Sequence, residues 1–252
     1  MRTIDLNADL GELPGAASLD AALMEHLTSV NVACGGHAGD EGTMEVTVRA
    51  ALARGLAVGA HPSYPDREGF GRKPRSLGPE EVAAAVEEQV RALSRVVLSC
   101  GGSLGHVKPH GALYNVAARD EAVARAVAEG VGRVSRDVVL VGLSGSRCLE
   151  VYRAAGFVVA AEAFADRRYE PDGSLTPRSL PGALVEEPET AARQAVSIAV
   201  EGTVLSRGGL HVAVPAETIC LHGDTPGALE IARRVATRLR EAGVTLARLA
   251  PR

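Results

Sequence analysis

Short apolar runs rich in β-branched residues alternate with Ala-, Glu- and Arg-rich helical stretches along this chain. That alternation constrains the fold more than any other feature. Strand–helix–strand repeated many times implies a parallel sheet, each strand covered by the helix that follows it. The predicted strands are 3–7, 29–33, 56–60, 103–107, 138–142, 157–162, 218–221 and a final short one at 244–249. The predicted helices are 19–27, 40–54, 79–98, 120–131, 146–155, 188–200 and 226–241. Asp40 can cap the second helix and Gly55 can stop it. Pro79 followed by two glutamates opens the third, which Gly101-Gly102 ends. Residues 62–78 and 164–184 lack an apolar period and carry Pro, Gly, Asp and Arg. The first reads as a long functional loop and the second as irregular.

Asparagine occurs three times in 252 residues and lysine twice, against twenty-five arginines. All three asparagines, Lys108 and five of the seven histidines fall in short polar clusters directly after apolar runs. These clusters follow at least five strands. A closed or nearly closed barrel gathers every strand end around one mouth, whereas an open sheet gathers only those at a switch point. We therefore expect one α/β domain spanning 1–252, a (β/α) barrel with a polar small-molecule site at the C-terminal ends of its strands.

Composition excludes other classes. A formal net charge of −4 lacks the basic footprint of a nucleic-acid binder. No stretch reaches the roughly 18 apolar residues of a membrane span, and the N-terminus acquires acids at once, without the apolar core of a signal peptide. A cytoplasmic protein is expected. The four cysteines form no CxxC pair and read as free thiols. There is no GxxxxGK[ST], GxGxxG or GxSxG, hence no recognisable nucleotide cradle or serine-hydrolase elbow.

In the first cluster, DLNADLGE (5–12), Asp5, Asn7 and Asp9 share one strand face and should point into the barrel. Glu12 follows. The second, NVACGGHAGD (31–40), offers Asn31 and His37 beside two glycines that permit close backbone approach. Cys34 there is either a nucleophile or a small packed residue. The third, GAHPSYPDREGFGR (59–72), brings His61 directly off a strand. Its loop can present Arg72 to a carboxylate, while the plainer reading of His61 is a buried, hydrogen-bonded histidine. The fourth and densest, HVKPHGALYN (106–115), places His106 and Lys108 on one face, with His110 and Asn115 close behind. A lysine retained among so many arginines suits a point charge or a group that exchanges a proton. EAFADRRY (162–169) adds Glu162, and LHGD (221–224) adds His222.

In this order, these six motifs resemble the LamB/YcsF family over essentially the full length. The family's second motif commonly reads ACGFHAGD, and Gly36 stands here in place of the phenylalanine. The resemblance implies a distorted, seven-stranded β/α barrel related to the glycoside hydrolase and polysaccharide deacetylase barrels. It implies a role as the A component of an ATP-driven 5-oxoprolinase, which opens the 5-oxoproline lactam to L-glutamate with ATP as co-substrate. It also implies two partner subunits, B and C. In that reading Asp9, His61, His106 and Lys108 are the catalytic candidates. Asn7, Asn31, His37, Arg72, His110, Asn115, Glu162 and His222 are the substrate-binding candidates. The deacetylase barrels hold a metal with one Asp and two His, so Asp9, His37 and His61 are the candidate ligands for a divalent metal. Two alternatives stand beside it: a stand-alone metal-dependent amide hydrolase or carbohydrate deacetylase, and a non-catalytic subunit that binds substrate.

Overall fold

The computed structural model describes residues 2–249. In chain order its strands are β1 (Arg2–Leu10), β2 (Ser29–Ala33), β3 (Ala57–His61), β4 (Leu104–Val107), β5 (Val139–Leu143), β6 (Val158–Phe164), β7 (Thr203–Leu205), β8 (His211–Ala213), β9 (Thr218–His222) and β10 (Val244–Leu246). The helices are α1 (Ala17–Met24), α2 (Glu41–Ala53), α3 (Pro79–Ser99), α4 (Gly111–Ala117), α5 (Glu121–Gly132), α6 (Arg147–Ala154), α7 (Pro188–Glu201) and α8 (Ala228–Glu241).

β1 through β6 pair in sequence order, β6 pairs with β9, and β9 returns to β1, all parallel. Seven strands therefore close the barrel expected from the sequence. β1 is long enough to serve two neighbours along the edge opposite β2. Its upper half, from Asp5 to Asp9, pairs with β9, and its foot, from Arg2 to Ile4, pairs with β10.

The helices form where the sequence places their signals. Asp40 caps α2 by accepting from the Thr43 backbone N–H at 2.8 Å, and the Thr43 hydroxyl accepts in turn from the Asp40 N–H. At α3 the Glu81 carboxylate accepts from the Gly78 N–H at 2.7 Å. Val82, Val86, Val90, Leu93 and Val97 then recur at helical spacing and are buried against the barrel. Each such side chain contributes roughly 1.5–3 kcal/mol on burial.

Two features were not expected. α4 runs for under two turns and starts at Gly111, too short for a legible period. β7 and β8 form a separate antiparallel hairpin of three-residue strands, too short to show alternation.

Inside the barrel the two sides differ. Val139, Val141 and Ala160 on β5 and β6 make a small apolar cluster, against which Leu249 packs. β1, β2, β3, β4 and β9 instead turn Asp5, Asn7, Asp9, Ser29, Asn31, His61, His106, Thr218 and Cys220 to a buried interior. Burying so many polar groups is tolerable only if each finds a partner.

Candidate active site

Most of these polar atoms find partners, in layers, and the exceptions include His106 Nδ1 and Glu162 Oε2. At the bottom Asp5 accepts from the hydroxyls of Thr28 at 2.7 Å, Ser29 at 2.8 Å and Thr218 at 2.5 Å. In the middle the Asn7 amide donates to Glu162 at 3.2 Å and Thr218 at 2.6 Å. The Asn31 amide donates to Asn7 at 2.7 Å and to Asp9 at 2.8 Å. His106 Nε2 lies 2.8 Å from the Asn31 side-chain oxygen. Above them Lys108 Nζ lies 2.9 Å from Asp9, 3.0 Å from Glu162 and 3.0 Å from the Cys220 sulfur. Asp9 Oδ2 reaches His61 Nε2 at 3.2 Å.

These contacts set the charges. Burial alone would lower the pKa of Lys108, but Asp9, Cys220 and Glu162 hold the ammonium well above its usual value. Lys108 is thus a fixed cation here rather than a proton-exchanging base. Burial raises the pKa of Asp9, yet His61 and Lys108 outweigh that and keep the carboxylate ionised. Burial lowers the pKa of His106 to about 3, with the Lys108 charge adding to it, so its imidazole stays neutral.

A second cluster sits beside the first. Gly11, at φ +72°, turns the chain off β1 and brings Glu12 back over the strand ends. Glu12 Oε1 then lies 2.9 Å from His37 Nε2, 3.2 Å from His110 Nδ1 and 3.6 Å from His61 Nε2. His37 and His110 stack with ring centres 3.6 Å apart. Burial lowers the His37 pKa to about 4. Burial raises the pKa of Glu12, but the imidazoles of His110 and His37 packed against it hold it below the usual carboxylate range.

Over this floor opens a cavity of about 940 Å³. Asp9, Glu12, His61, Lys108, His110 and His222 reach it from below, while Arg72, Arg119, Arg167 and Arg178 enter from the walls. Arg72, from the loop after β3, pairs with Asp224 after β9, which Arg178 also contacts at 3.1 Å. His222 is fixed by Asp166, which accepts from its backbone N–H at 2.9 Å and its Nδ1 at 3.0 Å. The His222 ring stacks on Phe164.

The expected residues therefore separate into two sets. Asp9, His61, Lys108, Arg72, His110, Asn115 and His222 line the cavity, whereas Asn7, Asn31, His37, His106 and Glu162 do not. His106 contacts Asn31, and so orders the layer below Lys108. The Asn115 amide donates to the Gly111 carbonyl at 2.9 Å, one turn back in α4. His37 faces Glu12 rather than Asp9, so the expected ligand trio of Asp9, His37 and His61 does not gather as one cluster. The groups that gather among the described residues are Glu12, His37, His61 and His110, and separately Asp9, Cys220 and His222.

Cys34 is the packed residue of the two readings, its thiol pushed up to about 12 by burial. Where the related motif has Phe, a Cβ on Gly36 would lie 2.1 Å from Gln89 Oε1, because Gln89 already fills that space and bonds Ser63. Sequence reasoning gave no role to Glu12, Cys220, Asp166 or Arg178. Glu12 and Asp166 lay inside the quoted motifs. Cys220 alternates with His222 on β9, a period-two signal. Arg178 offered none.

Known proteins are similar to this chain in sequence and in barrel. A profile of the LamB/YcsF family matches residues 4–252. A protein of Methylococcus capsulatus, named as the A subunit of 5-oxoprolinase, is 50% identical over 250 residues, covering 98% of this chain and 96% of the relative. One of the same name from Heliobacterium modesticaldum is 48% identical over 245 residues, covering 96% of each. The crystal structure of a lactam utilization protein from Thermus thermophilus superposes with a TM-score of 0.90 at 46% identity, covering 97% of this chain and 99% of that one. A T48 deacetylase with substrate superposes at TM-score 0.52 and 15% identity, covering 98% of this chain and 88% of that one, a likeness of fold alone. The near-full-length match of sequence and barrel shows that this chain belongs to the LamB/YcsF family.

Proposed function

We propose that this chain is the A subunit of an ATP-dependent 5-oxoprolinase, a cyclic-amide hydrolase that opens 5-oxo-L-proline to L-glutamate while ATP becomes ADP and phosphate. The observation that carries this reading is the near-full-length identity of 50% to a relative named for that role. The site supports it. A lactam amide is resonance-stabilised, so transfer of a phosphoryl group to its oxygen makes the ring carbon a better electrophile. Water then adds at that carbon, the C–N bond opens to leave the γ-carboxyl as an acyl phosphate, and a second water hydrolyses that acyl phosphate to glutamate and phosphate.

Each demand of this sequence has a group to meet it. The Lys108 ammonium is fixed at the cavity floor and suits a developing oxyanion or a phosphate oxygen. The Asp9 carboxylate, held ionised beside Lys108 at the cavity floor, can orient the attacking water and take up its proton. Arg72 and Arg178 stand where they can exchange Asp224 for the substrate carboxylate or phosphates. A cavity of about 940 Å³ is larger than one five-membered ring needs, near the upper end of the roughly 300–1,000 Å³ of small-molecule sites. That size favours ATP and lactam meeting in it.

Partner subunits B and C complete the enzyme in this reading. The name of the relatives supports a multi-subunit assembly. A broad mouth would need covering to keep water from a phosphorylated intermediate. We place the reaction in the cytoplasm, where ATP is supplied. No helix among the described residues is long and apolar enough to cross a membrane. The test is a coupled assay on the chain mixed with both partners. ADP release that requires 5-oxoproline supports the reading. ATP-independent release of acetate from an acetylated sugar, without lactam turnover, would replace it with a deacetylase.

A further inference from the structure

Two imidazoles at the cavity floor are arranged in a way that neutral histidines alone do not explain. His61 Nδ1 lies 2.8 Å from the Lys108 backbone carbonyl. His110 Nε2 lies 2.9 Å from the Phe70 backbone carbonyl. A carbonyl only accepts, so each ring nitrogen in these bonds carries a hydrogen. The remaining nitrogens, His61 Nε2 and His110 Nδ1, are then lone pairs in the neutral rings. They face one another at 3.0 Å. Around them stand only further acceptors: Glu12 Oε1 at 3.2 Å from His110 and 3.6 Å from His61, and Asp9 Oδ2 at 3.2 Å from His61. Lone pairs and carboxylates converging at such distances need positive charge among them, which a proton on one ring or a bound cation supplies.

We propose that Glu12, His37, His61 and His110 form a binding site for one divalent transition-metal ion of the zinc class. This proposal is independent of the lactam chemistry. Zinc holds nitrogen and oxygen ligands at about 2.0–2.2 Å in a tetrahedron, which sets neighbouring ligand atoms about 3.3–3.6 Å apart. The separations here are 2.9 Å for His37 to Glu12, 3.0 Å for His61 to His110, 3.2 Å for His110 to Glu12 and 3.6 Å for His61 to Glu12. One meets that range and three fall short of it by a few tenths of an ångström, and all four ligand atoms lie within 4.8 Å of one another. Three imidazoles and one carboxylate suit zinc, cobalt or nickel rather than magnesium or calcium.

The surroundings agree. The carbonyl bonds to Lys108 and Phe70 fix ring orientation and tautomer, as outer partners of metal-bound histidines do. Gly71 lets the rings close up, since a Cβ there would lie 2.9 Å from both His110 Cδ2 and His37 Cβ. Charge also calls for a cation. Asp9 and Glu162 face the single ammonium of Lys108, while the third carboxylate, Glu12, faces only imidazoles. Two formal negative charges are left, and a divalent ion neutralises them. Glu12, His61 and His110 line the cavity, which gives the ion a path in.

The test is metal binding by the full chain after chelator treatment. Zinc is titrated calorimetrically, and cobalt is followed by its visible absorption. One ion per chain is expected, with a cobalt spectrum of tetrahedral type. Glu12→Gln and His37→Gln should weaken binding by at least about 100-fold, beyond the 10–100-fold typical of changes to outer partners. His222→Gln, in the neighbouring Asp9–Cys220–His222 group, should bind as the parent does. Circular dichroism and melting of each metal-free variant establish that it folds. Glu12→Gln is nearly isosteric on a turn and keeps the test open should His37→Gln fail. Absence of saturable zinc and cobalt binding would overturn the proposal. So would affinity unchanged in Glu12→Gln, or lost equally in His222→Gln.

Discussion

Gly59 and His106 face each other across the β3–β4 seam so closely that a Cβ on residue 59 would lie 2.1 Å from His106 Nε2. The missing side chain of one strand is the space for the imidazole of the next. That imidazole bonds Asn31, which in turn bonds Asp9.

Gly59→Ala should therefore act through the site as well as through stability. Forcing a methyl group into this contact costs about 1–3 kcal/mol, as overpacking in close-packed cores does. It should also displace His106 from Asn31 and lower turnover of the assembled enzyme. Urea unfolding of parent and variant measures the first effect. Coincident unfolding curves would show that the seam has slack the contact distance does not suggest.

His106 also predicts a pH dependence. Burial first, then the Lys108 charge, lowers its pKa from 6.5 to about 3 in the folded chain. The unfolded chain takes up the proton near 6.5 and the folded chain does not. The stabilising contribution is therefore fully present above pH 6.5, declines as pH falls, and is gone below about 3. Its full size is on the order of a few kcal/mol. Subtracting the unfolding free energies of His106→Gln from those of the parent across this range isolates it. A difference that is flat with pH would contradict a buried neutral imidazole.

Much of this was legible before any coordinates. The βα alternation gave a parallel barrel, and the clustering of Asn, His and Lys after its strands located the mouth. Period two placed Asp5, Asn7 and Asp9 on one face, but it could not say how deep each would lie. Asp5 proved to be held by Thr28, Ser29 and Thr218 at the bottom and does not line the cavity. Depth also decided His106 and Glu162, which support the floor instead of forming it. Glu12 was in view yet unassigned, because its place depends on the turn at Gly11 rather than on strand register. The partnership of Arg72 and Arg178 with Asp224 joins three loops, and no local pattern encodes that.

Lys108→Arg should lose activity although the positive charge is kept. The ammonium sits between Asp9, Glu162 and Cys220 at 2.9, 3.0 and 3.0 Å. A guanidinium is wider, planar and unable to occupy that three-sided site without moving Asp9. A displacement of this kind costs about a hundredfold in rate. Steady-state turnover of the assembled enzyme carrying the variant gives the answer, and near-parental turnover would mean that charge alone matters.

The central claim is that this chain supplies the lactam site of an enzyme completed by partners. The most direct test measures ADP and glutamate release with ATP and 5-oxoproline for the isolated chain, for subunits B and C without it, and for the mixture. Little turnover is expected from either part. The mixture should release equal amounts of ADP and glutamate, and Lys108→Met in this chain should abolish both. Robust coupled turnover by the isolated chain would contradict the requirement for partners. Undiminished turnover by the mixture carrying Lys108→Met would contradict the site.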